Sequence, residues 1–383
     1  MSAKKRVLVV FGTRPEAIKM ALLAKMLRAH PDFEAEVCAT AQHRSMLDQV
    51  LELFELDPKY DLDIMKANQG LPDITARIMT SMTTVLREFA PEWVLVQGDT
   101  TTAFVAALAA FYEKIKVGHV EAGLRTGFKY SPWPEEMNRK LVGSLADLHF
   151  PPTPRAQENL LREGVPPESV HVTGNTVVDA LLYVSNMLDS DAKRRGELDK
   201  KFEFLDPKRR LILITGHRRE SFGEPFRDVC NAFVDIVKAK PDVEILYPVH
   251  LNPNVQKPVK EILAAAPPEL AKRIHLIEPV EYLPFVYLMK RSYFIITDSG
   301  GVQEEAPSLG KPALVTRNDT ERPEAVEAGT AKLIGTDRKR IVEESLRLLD
   351  DEAHYASMSR AHNPYGDGKA NERIIEAMLA LKS

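Results

Sequence analysis

The chain has 383 residues, 44% hydrophobic and 28% charged, with a formal net charge of −4 and a pI near 6.2. That composition excludes a disordered, collagen-like or disulfide-stapled chain, and it supplies no overall cationic field for nucleic acid or an anionic membrane. The only cysteines, Cys38 and Cys230, each sit beside an apolar run and read as buried reduced thiols; with no signal-peptide core and no apolar run of membrane-spanning length, a cytoplasmic protein of two lobes is expected.

RVLVVFG reads as a buried strand, and Thr13, Pro15 and Glu16 suit the start of a helix whose apolar positions are Ile18, Leu22, Leu23, Met26 and Leu27. The same strand-turn-helix pattern recurs in FEAEVCAT with QHRSMLDQVLELF, in EWVLVQG with TTAFVAALAAFY, and in KVGHVE. Alternation of this kind predicts a parallel sheet covered on both faces. After SVHVTG the chain turns helical and charged, then a second series begins: RRLILITG, VEILYPVH, RIHLIEP, YFIITDSGG, KPALVT and TAKLIG. The expectation is an α/β protein of two doubly wound domains: an N-terminal one over 1–174, a connector over 175–208, and a C-terminal one over 209–365. The last segment, 366–383, is a helix whose apolar stripe must pack on a neighbour, with the N-terminal domain the candidate.

In open parallel sheets ligands bind beyond the carboxyl ends of the strands, so the polar residues that directly follow the apolar runs matter most. FGTRPEAIK places Arg14 and Lys19 there, QGDT places Asp99, and HVEAGLRT places Glu121. The stretch HVEAGLRTGFKYSPWPEEMNRK adds Glu135 and Glu136. Any one of these alone reads as a solvated loop charge, or in the case of Asp99 a helix cap; three strand-end sites in one lobe predict a pocket. In the second series, GHRRES places His217, Arg218 and Arg219 after a strand. DSGGVQEEAPSLGKP follows a strand and opens a helix at Ser299, Gly300 and Gly301, where backbone N–H groups can point at an anion; a tight turn is the alternative. Glu305 lies one turn on, within reach of ribose hydroxyls, and together these features suggest a nucleoside diphosphate. No GxGxxG follows the first strand, the Tyr365 and Lys369 pair falls in the glycine-rich YGDGK, and no HExxH occurs, so neither nicotinamide nor a catalytic metal is expected.

FGTRPEAIK, QGDTTT, HVEAGLRT, SPWPEEMNR, GHRRES, EYLPFVYLM, DSGGVQEEAPSLGKP and TERPEA, in this order from about residue 6 to the end, resemble the non-hydrolysing UDP-N-acetylglucosamine 2-epimerase family. The resemblance implies a glycosyltransferase-B-like fold of two Rossmann-like domains, the C-terminal one nucleotide-binding, with the active site in the inter-domain cleft, and often a homodimer. It also implies UDP-N-acetylglucosamine and UDP as ligands, and interconversion with UDP-N-acetylmannosamine without a cofactor. Carried over residue by residue, it places Asp99, Glu121, Glu135 and His217 in catalysis. Arg14, Lys19, Arg139, Phe285, Ser299, Gly300, Gly301, Glu305 and Arg322 fall in substrate binding, with Phe285 at the uracil and Glu305 at the ribose. A second molecule of substrate can act as activator in bacterial members; Gln42, His43 and Gln69 fit that site, while Ser45 and Asn68 replace longer polar residues common there. Val280 likewise stands where many members have glutamine.

The proton on sugar carbon 2 is not next to a carbonyl, so a carboxylate cannot remove it unless something acidifies it. Departure of UDP does so by building positive charge at carbon 1, giving 2-acetamidoglucal; protonation from the other face and re-addition of UDP then invert the centre. Asp99, Glu121 and Glu135 would share the roles of base, acid and cation stabiliser, with His217 and the glycine turn on the departing diphosphate. The competing readings are a UDP-sugar glycosyltransferase of the same fold and a hydrolysing epimerase that releases free N-acetylmannosamine.

Overall fold

The computed structural model describes residues 4–40, 44–65, 69–216 and 223–380, with the side chains of 44–46 outside the description. By backbone contacts it divides into one unit of Met1–Ala180 with Tyr365–Ser383 and another of Leu181–Pro364.

The first unit is built on six strands: β1 (Lys5–Phe11), β2 (Phe33–Ala39), β3 (Tyr60–Asp61), β4 (Trp93–Gln97), β5 (Lys116–Val120) and β6 (Leu148–Phe150). They pair in parallel in the order β3-β2-β1-β4-β5-β6. Val9 of β1 faces Val37 on one side and Leu95 on the other, and Val7 to Phe11 are fully buried. Helices cover both faces of such a strand, which is why it appears as an unbroken apolar run and not as an alternation. Its end is set by Gly12, where a Cβ would collide with the hydroxyls of Thr40 and Thr102, themselves hydrogen-bonded at 2.9 Å.

The second unit repeats the arrangement with β7 (Arg210–Thr215), β8 (Val243–Pro248), β9 (Ile274–Ile277), β10 (Phe294–Thr297), β11 (Ala313–Val315) and β12 (Ala331–Leu333). The order is β12-β11-β10-β7-β8-β9, again parallel. In each unit the winding reverses beside the first strand, between β1 and β4 and between β7 and β10. A doubly wound sheet offers its ligand crevice at the carboxyl ends of those strand pairs.

Residues 176–201 form two successive helices, Thr176–Ser190 and Ala192–Lys201, and the division by contacts falls inside the first of them. The final helix, Ala370–Ala380, belongs to the first unit. Its first turn is capped by Asp179, whose Oδ1 accepts from Asn371 N at 2.8 Å and Oδ2 from Ala370 N at 3.2 Å, while burial pushes that carboxyl up to about 6. Lys5 Nζ donates to Met378 O at 2.9 Å, and Ile374 and Met378 are fully buried. Both cysteines are free and buried, and burial pushes both thiols above their ordinary range. Among the described residues no helix is long and apolar enough to cross a membrane.

Candidate active site

Beyond β1 the helix Arg14–Ala29 opens with a capping box: Thr13 is the N-cap and Glu16 the reciprocal carboxylate. Glu16 does more than cap. It is fully buried; Oε2 accepts from Gly12 N (3.2 Å), Thr13 N (2.8 Å) and Thr13 Oγ1 (2.7 Å), and Oε1 accepts from Thr100 Oγ1 at 2.7 Å. One carboxylate thus ties the loop after β1 to the loop after β4, and burial raises its affinity for a proton above the ordinary carboxylate value. Arg14, half-buried at the start of this helix, makes no hydrogen bond or ion pair among the described residues. Lys19, one turn on, is ion-paired with Glu121 Oε2.

Beyond β4 the backbone turns left-handed at Gly98 (φ 68°), and Asp99 follows. The cap of the next helix is Thr100, whose Oγ1 accepts from Ala103 N at 3.0 Å, so the capping role open to Asp99 in the sequence falls to its neighbour. Asp99 instead pairs through Oδ2 with Arg139, and its carbonyl accepts from Asn138 Nδ2 at 2.9 Å. Glu121 directly follows β5 and is also left-handed (φ 59°), a conformation that costs a non-glycine residue energy and persists where surrounding contacts impose it. His119, fully buried, contacts Gly98 O through Nε2 at 2.8 Å; burial pushes its pKa down to about 3, which fixes it as a neutral donor to that carbonyl.

Glu135 and Glu136, adjacent in sequence at the start of the helix Glu135–Leu145, have separate fates. Glu136 is fully buried and accepts from Thr126 N and Gly127 N, each at 3.1 Å, and from Arg139 Nη1 at 3.2 Å. It closes the loop that precedes it. Glu135 Oε2 is buried and has no hydrogen-bond partner among the described residues. A buried carboxylate oxygen that no protein donor holds remains able to accept from a ligand or from water.

In the second unit the turn after β10 is organised by Thr297, whose Oγ1 accepts from Ser299 N at 2.9 Å and from Thr215 Oγ1 at 2.5 Å. The N–H of Ser299 is therefore engaged internally. Gly300 and Gly301 open the helix Gly300–Glu305, where N–H groups have no intrahelical partner. Neither glycine has a positive φ, and a Cβ would come no nearer than 4.0 Å to Arg322 at Gly300, or 3.9 Å to Glu305 and Ser299 at Gly301. Neither backbone strain nor internal packing demands glycine here, which weighs against the tight-turn alternative. Arg322 is ion-paired with the buried Glu304, whose carbonyl accepts from Asn363 Nδ2 at 2.9 Å. Glu305 Oε1 accepts from Tyr282 Oη at 2.8 Å, and burial beside that carboxylate keeps the phenol protonated far above its ordinary range. Phe285, half-buried, lies one turn along the same helix, Tyr282–Arg291, and Val280 precedes it.

His217, Arg218 and Arg219 lie outside the described residues, as do Gln42, His43 and Asn68, and the side chain of Ser45; Gln69, half-buried, precedes the helix Leu71–Phe89. The structure therefore joins Lys19 to Glu121 and Asp99 to Arg139, with Glu135 at the head of Arg139's own helix. Within the second unit it gathers Ser299, Gly300, Gly301, Glu305 and Arg322 around one turn. The reading of the sequence missed the bridging role of Glu16, although the T-x-x-E spacing signalled its cap, and it missed His119, Asn175 and Tyr282, which carry no local signature.

Residues 25–379 match the family model described as UDP-N-acetylglucosamine 2-epimerase. The chain is 59% identical to the UDP-N-acetylglucosamine 2-epimerase of Escherichia coli K12 over 373 residues, 97% of this chain and 98% of that protein. Its fold is similar to the crystal structure of UDP-GlcNAc 2-epimerase from Neisseria meningitidis bound to UDP-GlcNAc, with 51% identity, a TM-score of 0.89 and coverage of 98% of this chain and 99% of that one. It is also similar to the Methanocaldococcus jannaschii UDP-GlcNAc 2-epimerase in complex with UDP-GlcNAc and UDP, at 33% identity, a TM-score of 0.79 and coverage of 98% and 99%. The chain belongs to the UDP-N-acetylglucosamine 2-epimerase family.

Proposed function

We infer that this chain reversibly epimerises UDP-N-acetylglucosamine at carbon 2 to UDP-N-acetylmannosamine, without hydrolysing the product and without a nicotinamide cofactor. Membership of the family supports the reaction, and the buried oxygen of Glu135, without a hydrogen-bond partner among the described residues, is the observation that carries the assignment of its chemistry. The carbon 1–oxygen bond breaks as UDP departs with the bonding pair. The proton at carbon 2 goes to a carboxylate, and its C–H pair forms the double bond of 2-acetamidoglucal. In the return step a proton reaches carbon 2 from the other face and a phosphate oxygen of UDP closes on carbon 1.

Glu135, whose Oε2 is committed to no protein donor among the described residues, exchanges the proton on one face. Asp99 and Glu121, each fixed against a cation, serve the other face and the positive charge at carbon 1. Arg14, half-buried without a protein partner among the described residues, is a further cation for the substrate. Gly300, Gly301 and Arg322 hold the diphosphate, Glu305 the ribose and Phe285 the uracil. His217 at the leaving diphosphate, Gln42, His43 and Gln69 as an activator site, and assembly as a cytoplasmic homodimer belong to the same proposal and rest on the family resemblance.

Proton NMR of the chain with UDP-N-acetylglucosamine in deuterated water tests it. Both epimers are expected, deuterated at carbon 2, with no added nicotinamide and no free N-acetylmannosamine. Epimers that keep protium would overturn the elimination, free N-acetylmannosamine would point to the hydrolysing reaction, and absence of any epimer would leave the transferase.

A further inference from the structure

Glu121 is gripped on Oε2 by two donors that come from far apart in the chain. One is Lys19; the other is Asn175, 1% exposed, whose Nδ2 donates at 3.0 Å. The amide of Asn175 is used at both ends: while Nδ2 faces Glu121, Oδ1 accepts from Val177 N at 3.1 Å. That double use fixes which way the amide points, and an ionised carboxylate, which could accept from Val177 N, could not donate to Glu121. The backbone of Asn175 is held in turn by the C-terminal return of the chain, Asn175 N donating to Tyr365 O at 2.6 Å. The approach is close enough that a Cβ on Gly174 (φ +89°) would sit 3.3 Å from both Tyr365 O and Gly366 Cα.

We propose that Asn175, clamped by the C-terminal return at Tyr365, is a positioning residue for the epimerisation: with Lys19 it fixes the rotamer of Glu121, whose left-handed backbone would otherwise leave that carboxylate poorly directed. The proposal rests on the reading of Glu121 as an active-site carboxylate. Asn175, unlike Lys19, is not among the groups assigned to substrate binding, so losing its grip on the carboxylate affects turnover and not affinity.

Asn175→Asp is the decisive variant. It is isosteric and keeps the acceptor for Val177 N, but sets an anionic oxygen against Glu121 Oε2 in place of the donor. Among the described residues, charged and titratable groups that face that carboxylate include Lys19 from the helix after β1 and neutral His119 on the strand that leads into Glu121. At pH 8 kcat is expected to fall by roughly 10²-fold, with KM for UDP-N-acetylglucosamine and affinity for UDP within about 2-fold of wild type. Because two facing carboxylates share one proton as the pH falls, the deficit should shrink towards pH 6, where the introduced carboxyl, once protonated, again donates. Asn175→Ala, which removes the donor without adding charge, should lose turnover to a similar degree at every pH, and it decides the matter if the aspartate variant does not fold. A folded variant with wild-type kcat and pH dependence overturns the proposal. Failure of the wild-type chain to form epimer in the same assay would instead refute the reading beneath it.

Discussion

Arg139 donates through Nη2 to the carboxylate of Asp99, so an ion pair joins the loop after β4 to the helix headed by Glu135, beside the hydrogen bond from Asn138 to Asp99 O. The same guanidinium turns Nη1 to Glu136, which holds the N–H groups of Thr126 and Gly127. An arginine can do this because its fork presents several donors in fixed directions; a lysine offers a point charge and could not hold both carboxylates in register. The consequence is that Glu135 is presented on a rigid support while its own Oε2 stays uncommitted.

Glu135→Gln is therefore expected to leave stability within about 0.5 kcal/mol of wild type, since no hydrogen bond to Oε2 from the described residues is lost. UDP should bind as before while epimerisation falls by roughly 10²-fold or more, the usual contribution of a positioned acid or base. Thermal denaturation, calorimetry with UDP and the deuterium-exchange assay read the three quantities. Full turnover in the variant would remove Glu135 from the chemistry.

Glu136→Gln should behave in the opposite way. The amide cannot accept on both sides, so either Gly127 N, bound to Oε1, or Thr126 N and Arg139 Nη1, which share Oε2, lose their buried acceptor, at a cost of about 2 kcal/mol or more. The melting temperature should drop by several degrees, and any loss of activity should track unfolding. A variant as stable as wild type would mean that the loop does not depend on this carboxylate.

The difference between these neighbours shows what can be read in the sequence and what cannot. Period and composition are enough for the parallel sheets, because strands buried on both faces are continuous apolar runs, and the strand ends then point to Asp99, Glu121 and the glycine turn. Which of two consecutive glutamates faces inward depends on where the helix Glu135–Leu145 begins, and that is set by the loop before it. Asn175 is hidden for a different reason: it lies in a stretch that reads as the start of a connector, and its partners Glu121 and Tyr365 are distant in the chain. Glu16 looks like an ordinary cap because its second bond, to Thr100, crosses from one strand-end loop to another.

Gly300→Val tests whether the turn after β10 is shaped for a ligand. With no positive φ to strain and Arg322 no nearer than 4.0 Å from a Cβ, the folded state should tolerate the side chain, and stability should change by less than about 1 kcal/mol. UDP affinity measured by calorimetry should nevertheless fall by about 10-fold or more, because the branched side chain stands where the diphosphate must approach the N–H groups. Unchanged affinity in a folded variant would return the turn to a purely structural role.

His119 provides a prediction in pH. Its folded-state pKa, about 3, lies below the ordinary value of 6.5 because burial disfavours the imidazolium, so the unfolded chain binds a proton that the folded chain does not. The stability this contributes is fully present above pH 6.5 and is lost as the pH falls towards 3, at about 1.4 kcal/mol per unit, or about 2 kcal/mol between pH 6.5 and 5. His149, pushed down to about 4 by burial, acts with the same sign. Asp179, pushed up to about 6, acts with the opposite sign, its contribution being present below 3.8 and lost as the pH rises through 6. Comparing wild type with His119→Gln cancels both of these and isolates His119. Urea unfolding at pH 7 and pH 5 should show the wild-type chain losing about 2 kcal/mol more than the variant over that interval. Equal losses would mean that His119 takes up its proton in the folded state, and its role as a neutral donor holding Gly98 O in the loop that presents Asp99 would fall with it.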